Sequence, residues 1–246
     1  MIWVLLFSII FNSDNTLFLI PKVNNHIKTV VHDQGKRDAY KSIEQNIKAY
    51  RKAFIKKQKQ HRKDLQRLNL SYHSKAEDYQ MAIDRFTASL DTLAKKELAT
   101  RIKITELFSK EESQQLIVLL HSDIIKQQKK VNKHQEKFKK KWDKTILGIA
   151  NDFNTHPKST NIKCFLKENK QQFYKHIDNY QACFLPRNTD ILDPDFSNEE
   201  VAELLNMSMT IKDEMARSII ELRFYLNDLV EEDDWKKMAK QLNKVL

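Results

Sequence analysis

Eight histidines, two cysteines and one pair of adjacent glutamates are the residues of this chain whose chemistry is tested first. Metal ligands on helices sit three or four residues apart on one face, as in Glu-x-x-His or His-x-x-x-His. None of His26, His32, His61, His73, His121, His134, His156 and His176 has a histidine at either spacing, or an acid three residues before it. The nearest approach, His121-Ser122-Asp123, turns its two groups to different sides of a helix. No metal ion or cofactor is expected. Nucleophilic catalysis has no better support: there is no Gly-x-Ser-x-Gly elbow, and neither Cys164 nor Cys183 has a catalytic signature around it. Glu111-Glu112 would suit paired-carboxylate acid–base chemistry. Ser109 stands three before Glu112, however, and capping at a helix start, where carboxylates meet the positive end of the dipole, is a sufficient reason for both acids. No catalytic residue is expected, and the protein is read as a non-enzyme.

What remains is lysine. The formal charge is +10, unevenly spread. Lys36–Arg67 has twelve Lys/Arg against three Asp/Glu, Lys126–Lys144 has nine against two, and Asp190–Asp234 has three against fourteen. A basic front and an acidic back can satisfy one another within the fold or between copies, which weakens the inference from net charge to nucleic acid. The candidate interaction surface is Lys129, Lys130, Lys133, Lys137, Lys139, Lys140 and Lys141. Nucleic acid is the alternative partner for the two basic stretches. Tyr40, Tyr50, Phe54, Phe138 and Trp142 fall at core spacing, so packing explains them better than base stacking.

The elements that must carry these residues are helices. Two glycines and four prolines in 246 residues leave little for hairpins, Rossmann crossovers or phosphate loops, all of which need glycine. Long runs of Lys, Glu, Gln, Leu, Ile and Ala favour helix. The fold class is all-α, an elongated helical bundle of long coiled-coil-like helices. Apolar spacings of three and four predict a helix from Lys36 to about Asn69, and a second opening at Ser74-Lys75-Ala76-Glu77, which has capping-box spacing. A third helix, long and lysine-rich in its middle, runs from Ser109 to His156-Pro157, with Lys126–Lys141 projecting beyond the core or wrapped on one side. A fourth covers Lys163–Phe184. If it is continuous, Cys164 and Cys183 lie about 28 Å apart along its axis, too far for a disulfide, which needs Cα atoms within about 7 Å. Pro186–Asp195 reads as a loop, and Ser197–Glu200 as the cap of a fifth helix ahead of the acidic C-terminal hairpin.

One stretch has an echo. Arg101–Leu120 matches Arg223–Leu242, 122 positions later, at Arg101/Arg223, Ile104/Leu226, Leu107/Leu229 and Leu120/Leu242, with Glu111-Glu112 against Asp233-Asp234. Each copy reads as a helix end, an acidic turn and a helix start, so an internal duplication of a helix–turn–helix unit is expected. Phe108-Ser109-Lys110-Glu111-Glu112 also resembles the Leu-Thr-x-x-Gln motif of small helical periplasmic stress and chaperone proteins of the Spy and CpxP type. It departs at Leu, Thr and Gln, and Val230–Asp234 departs further; the likeness covers five residues. It implies a cradle-like helical protein that binds exposed apolar segments in the envelope.

The N-terminus sets the expected location. Ile2–Phe11 is apolar but for Ser8, and Leu17–Ile20 follows a polar Asn12–Asn15. It has neither the positive n-region nor the small-residue cleavage site of a secretory signal. It is also short of the roughly 20 apolar residues that span a bilayer. Both shortfalls are met if the true start lies upstream and these residues are the latter half of an anchor or signal. Lysines following the apolar run put the body in the cytoplasm by the positive-inside rule, whereas a missing upstream n-region reverses the comparison. The side of the membrane stays open, with a slight lean to an extracytoplasmic body. The expected organisation is a membrane anchor or signal-like segment at 1–21, a linker at 22–35, a basic helical unit at 36–155 and a second helical unit at 156–246. The expected function is a membrane-associated helical scaffold of the cell envelope that binds a protein partner or itself. Nucleic-acid binding and an exported envelope chaperone are the alternatives.

Overall fold

A computed structural model describes residues 24–184, 193 and 195–245 of the chain. The apolar segment at 1–21 and most of the loop expected at Pro186–Asp195 lie outside the described residues. Within them the protein is all-α: α1 (Asn24–Val30), α2 (Gln34–Leu70), α3 (Ala76–Leu107), α4 (Lys110–Asp152), α5 (Ser159–Phe184), α6 (Asn198–Leu229) and α7 (Glu232–Val245). No described residue takes a positive φ, as the scarcity of glycine requires.

The helices begin where their caps are. Asp33 opens α2 by accepting the Lys36 N–H at 3.0 Å. Ser109 and Ser197 open α4 and α6 with full capping boxes, each hydroxyl accepting the N–H of a glutamate whose carboxylate accepts the serine N–H. The box expected at Ser74–Glu77 does not form. The Ser74 hydroxyl instead donates to the Leu68 carbonyl at 2.8 Å, closing the end of α2. Helix α3 starts one residue later, where Asp78 accepts the Lys75 N–H.

Helix α2 packs on α3, α3 on α6, α6 on α5 and α5 on α4, while α2 and α4 scarcely touch. The two short helices close that seam, each packing against both α2 and α4. At one end α1 joins a small core of Ile27, Val30, Val31, Tyr40, Ile104, Phe108, Leu116 and Leu120. The segment expected as a linker at 22–35 thus carries a packed helix. At the other end α7 is tied to α2 by the Trp235 Nε1–H donating to the Asn69 carbonyl at 3.2 Å. It meets α4 at Gly148, whose missing Cβ leaves room for Gln241 Oε1, only 2.7 Å from where that atom would stand. The N-terminal ends of α2 and α4 share one closure and their C-terminal ends the other, so the two helices run parallel. The main core, which includes the fully buried Trp142 and Trp235, draws on residues from Phe54 to Leu242. It therefore runs through the boundary expected at 155/156.

The echoed stretches occupy matching places. Helices α3 and α6 are both 32 residues long and their first residues, Ala76 and Asn198, are 122 apart. Arg101 and Arg223, six residues before the respective helix ends, are both buried. Arg101 of α3 donates to the Asp193 carbonyl at 3.1 Å, to the Phe196 carbonyl and to Asn198, all at the entrance to α6. Arg223 of α6 donates to the Ser71 and Tyr72 carbonyls at 2.7 and 3.3 Å and to the Tyr79 hydroxyl at 3.1 Å, at the entrance to α3. The two helices run antiparallel, and each uses one arginine to hold the start of the other.

Candidate interaction surface

Helix α4 is 43 residues long, from the Ser109 cap to Asp152. Its apolar anchors fix its rotation: Leu116 and Leu120 in the small core, then Trp142, Ile149 and Phe153 in the main one. At 100° per residue, Lys126, Lys129, Lys133, Lys137, Lys140 and Lys144 then fall within about 80° of arc on the opposite side. All six are exposed, and they form a row about 27 Å long. Four of the seven expected interaction lysines, Lys129, Lys133, Lys137 and Lys140, belong to it.

Lys139 does not. It is turned toward α5, its ammonium 2.7 Å from Asp178 and 3.8 Å from Glu136, and 5.4 Å above the Tyr174 ring. Tyr174 completes the arrangement by donating to the Lys139 carbonyl at 2.7 Å and sharing a hydrogen bond with Asp143 at 2.8 Å. Burial, reinforced by the Asp143 carboxylate, raises the Tyr174 hydroxyl pKa, so Tyr174 stays protonated. Lys139 is a structural tie between α4 and α5. Lys141 is half-buried and has a partner, and the Lys130 side chain lies outside the described residues.

At its N-terminal end the row gives way to apolar side chains. Val118 and Leu119 are 73% and 37% exposed. With Thr29, Val30, Gln114 and Gln115 they line an open groove of about 360 Å³ between α1 and α4. Ile125 and Leu147 are exposed further along the helix.

The other basic stretch read from the sequence, Lys36–Arg67, also resolves into a row. On α2 the buried line is Tyr40, Ile47, Phe54, Gln58 and Leu65. Lys41, Lys48, Lys52, Lys56, Lys59, Lys63 and Arg67 are exposed and occupy about 100° of the far side over about 39 Å. The charge excess was visible in the sequence; its confinement to one face follows from counting against the buried line. Two of these cations lean on their own helix, Lys48 on Glu44 at 2.7 Å and Arg67 on Asp64 at 3.9 Å. The acidic counterpart is the outward face of α6, where Glu203, Glu214, Glu221 and Asp228 are exposed beside Met207 and Tyr225.

Also unforeseen was a buried ion pair. Arg51 grips Glu97 in a fork, Nε to Oε1 at 2.5 Å and Nη2 to Oε2 at 2.6 Å, with the glutamate fully buried. Burial raises the Glu97 pKa and the arginine opposes that rise. The signal was present in the sequence, since Arg51 and Glu97 sit at core spacing between Ile47 and Phe54 and between Leu93 and Arg101. Glu111 and Glu112 behave as caps. Lys36, 2.7 Å from Glu112, draws that carboxyl pKa below its ordinary value, and helix-start hydrogen bonds do the same for Glu111. Nothing in this arrangement activates a nucleophile.

Among the described residues no group of His, Cys, Asp and Glu is arranged to hold a metal ion. His176 and His73 each face a single carboxylate, Glu214 at 3.3 Å and Glu232 at 3.6 Å. Cys164 is free and exposed, and α5 carries both cysteines in one unbroken helix. None of the helices searched is long and apolar enough to cross a membrane. No family model, curated protein or solved structure matches the chain, so the five-residue likeness to the Spy and CpxP proteins stands on the motif alone.

Proposed function

We propose that this protein is a membrane-associated helical interaction scaffold of the cell envelope, without catalytic activity, whose working surface is the outward lysine row of α4. The observation that carries this is the row itself. Six exposed lysines in one narrow stripe, turned away from the core, place like charges side by side and repel one another. Such a stripe is stabilised when an anionic surface lies against it. Two such surfaces fit: the headgroups of an anionic bilayer, and the acidic outward face of α6 on a second copy. The apolar residues of Ile2–Phe11 support membrane attachment. The matched α3 and α6, with their reciprocal arginines, support an internal duplication as the origin of the scaffold.

The test is substitution of Lys129, Lys133, Lys137 and Lys140 by glutamine in the full chain. Self-association by analytical ultracentrifugation and pelleting with anionic vesicles are then measured beside the circular dichroism. At least one association is expected to weaken at unchanged helicity. If both persist at full strength, the row is a solvated face and the proposal fails. Nucleic acid is a second reading, favoured by the α2 row, whose length suits a run of phosphates. It requires duplex affinity that falls steeply with salt, with a slope near −0.9 per phosphate neutralised.

A further inference from the structure

We propose that the side of the molecule formed by the α2 and α4 rows lies flat on an anionic lipid bilayer, with Val118 and Leu119 at the depth of the headgroups and the acidic face of α6 turned away. This deepens, and rests on, the membrane association proposed above. Three features point to it together. First, the helices form a ring in the order α2, α3, α6, α5, α4, closed by α1 and α7. The two lysine rows therefore flank one seam, and the acidic stripe of α6 lies across the ring from that seam. The protein is electrically two-faced, and such a body orients in the field of an anionic surface.

Second, the chain enters the described fold at Asn24, the first residue of α1, and α1 packs against both α2 and α4. The 23 residues ahead of it include Ile2–Phe11 and Leu17–Ile20. An apolar segment joined at this point is tethered to the basic side, the side the rows would bring to the bilayer.

Third, the α4 row ends in apolar side chains that are exposed at the open groove beside α1. Val118 is 73% exposed in the groove beside α1. Exposed apolar groups next to a stripe of lysines are the composition of a helix lying in an interface: the apolar groups enter the headgroup layer while the lysine stems reach outward. A nucleic acid, whose surface is phosphate and sugar, gives Val118 nothing apolar to meet.

The experiment is pelleting of the full chain with vesicles of phosphatidylcholine alone and of phosphatidylcholine with anionic phosphatidylglycerol. Wild type is compared with a variant carrying Lys52→Gln, Lys56→Gln, Lys59→Gln and Lys63→Gln, and with Val118→Ser/Leu119→Ser. A third variant, Glu203→Gln/Glu221→Gln, neutralises the α6 face. A lysine near an anionic surface strengthens partitioning about fivefold. The α2 variant is therefore expected to lose about a hundredfold or more on anionic vesicles and little on neutral ones. The serine variant is expected to lose about tenfold, and the α6 variant nothing. All are expected to keep wild-type helicity. Equal binding of wild type and the α2 and serine variants to anionic vesicles overturns the orientation and leaves membrane association standing. Failure to pellet with either vesicle overturns membrane association itself. Tighter binding of the wild type to duplex DNA than to anionic vesicles, or loss of vesicle binding in the α6 variant, also overturns the proposal.

Discussion

Arg223 shows how much one side chain can organise. Its guanidinium sits 4.4 Å from the Phe224 ring centroid, 4.9 Å from Trp235 and 5.2 Å from Tyr79, while donating to the carbonyls that lead into α3. The tyrosine hydroxyl is pushed up to about 12, chiefly by burial, so it stays a neutral acceptor at physiological pH. A lysine cannot reproduce the fork or the stacking. Arg223→Lys is expected to cost about 3 kcal/mol in urea unfolding, and Arg101→Lys is expected to loosen the entrance to α6 through the same loss of the planar fork. The Arg51–Glu97 pair is joined by a two-bond fork. Arg51→Met should cost about 3–5 kcal/mol by leaving a buried carboxylate alone, and adding Glu97→Leu should return most of it. A double variant as unstable as the single one would contradict that. Glu112 gives a pH signature. Its folded pKa is lowered from 4.5, so its contribution is present above about 4.5 and lost as pH falls through the folded value. The stability difference between wild type and Glu112→Gln is therefore expected at pH 6 and should shrink as the pH falls below 4.5.

At the scale of the element, the periodicity of apolar residues carried most of the fold. The helices after α1 were legible because their apolar stripes recur at helical spacing and most of their breaks are marked by Ser–x–x–Glu spacing, by proline or by an acidic turn. Ser109→Ala and Ser197→Ala should each lower stability by about 1 kcal/mol, whereas Ser74→Ala acts only through its bond to Leu68. The cap at Ser74 was misplaced because Ser74-Lys75-Ala76-Glu77 also has Asp78 next to Glu77. Spacing alone does not say which serine oxygen is already occupied by the preceding helix. Helix α1 was ambiguous because seven residues are too few for a period, and its stability comes from Ile27, Val30 and Val31 packing on distant helices. The candidate site was half legible. The lysine excess of α4 was plain, yet separating Lys139 from Lys137 and Lys140 needed the rotation of the helix, which Trp142 and Ile149 set. The same rotation turns the α2 excess into a row.

Across the whole molecule, the ring closure and its two-faced charge were not legible, since both depend on which helices adjoin. The 122-residue echo falls on the α3–α4 and α6–α7 joints, and α3 and α6 each hold the start of the other through an arginine. The resulting body has a basic side bearing the entry of the N-terminal segment and an acidic side opposite. Association with a membrane is the claim on which the rest of the functional account depends. Cell fractionation of the full native chain tests it most directly, with the pellet washed first in high salt and then in alkaline carbonate. The account predicts that the protein is recovered in the membrane pellet and persists there through the salt wash. Recovery in the soluble fraction before any wash, with residues 1–21 still attached, would contradict it.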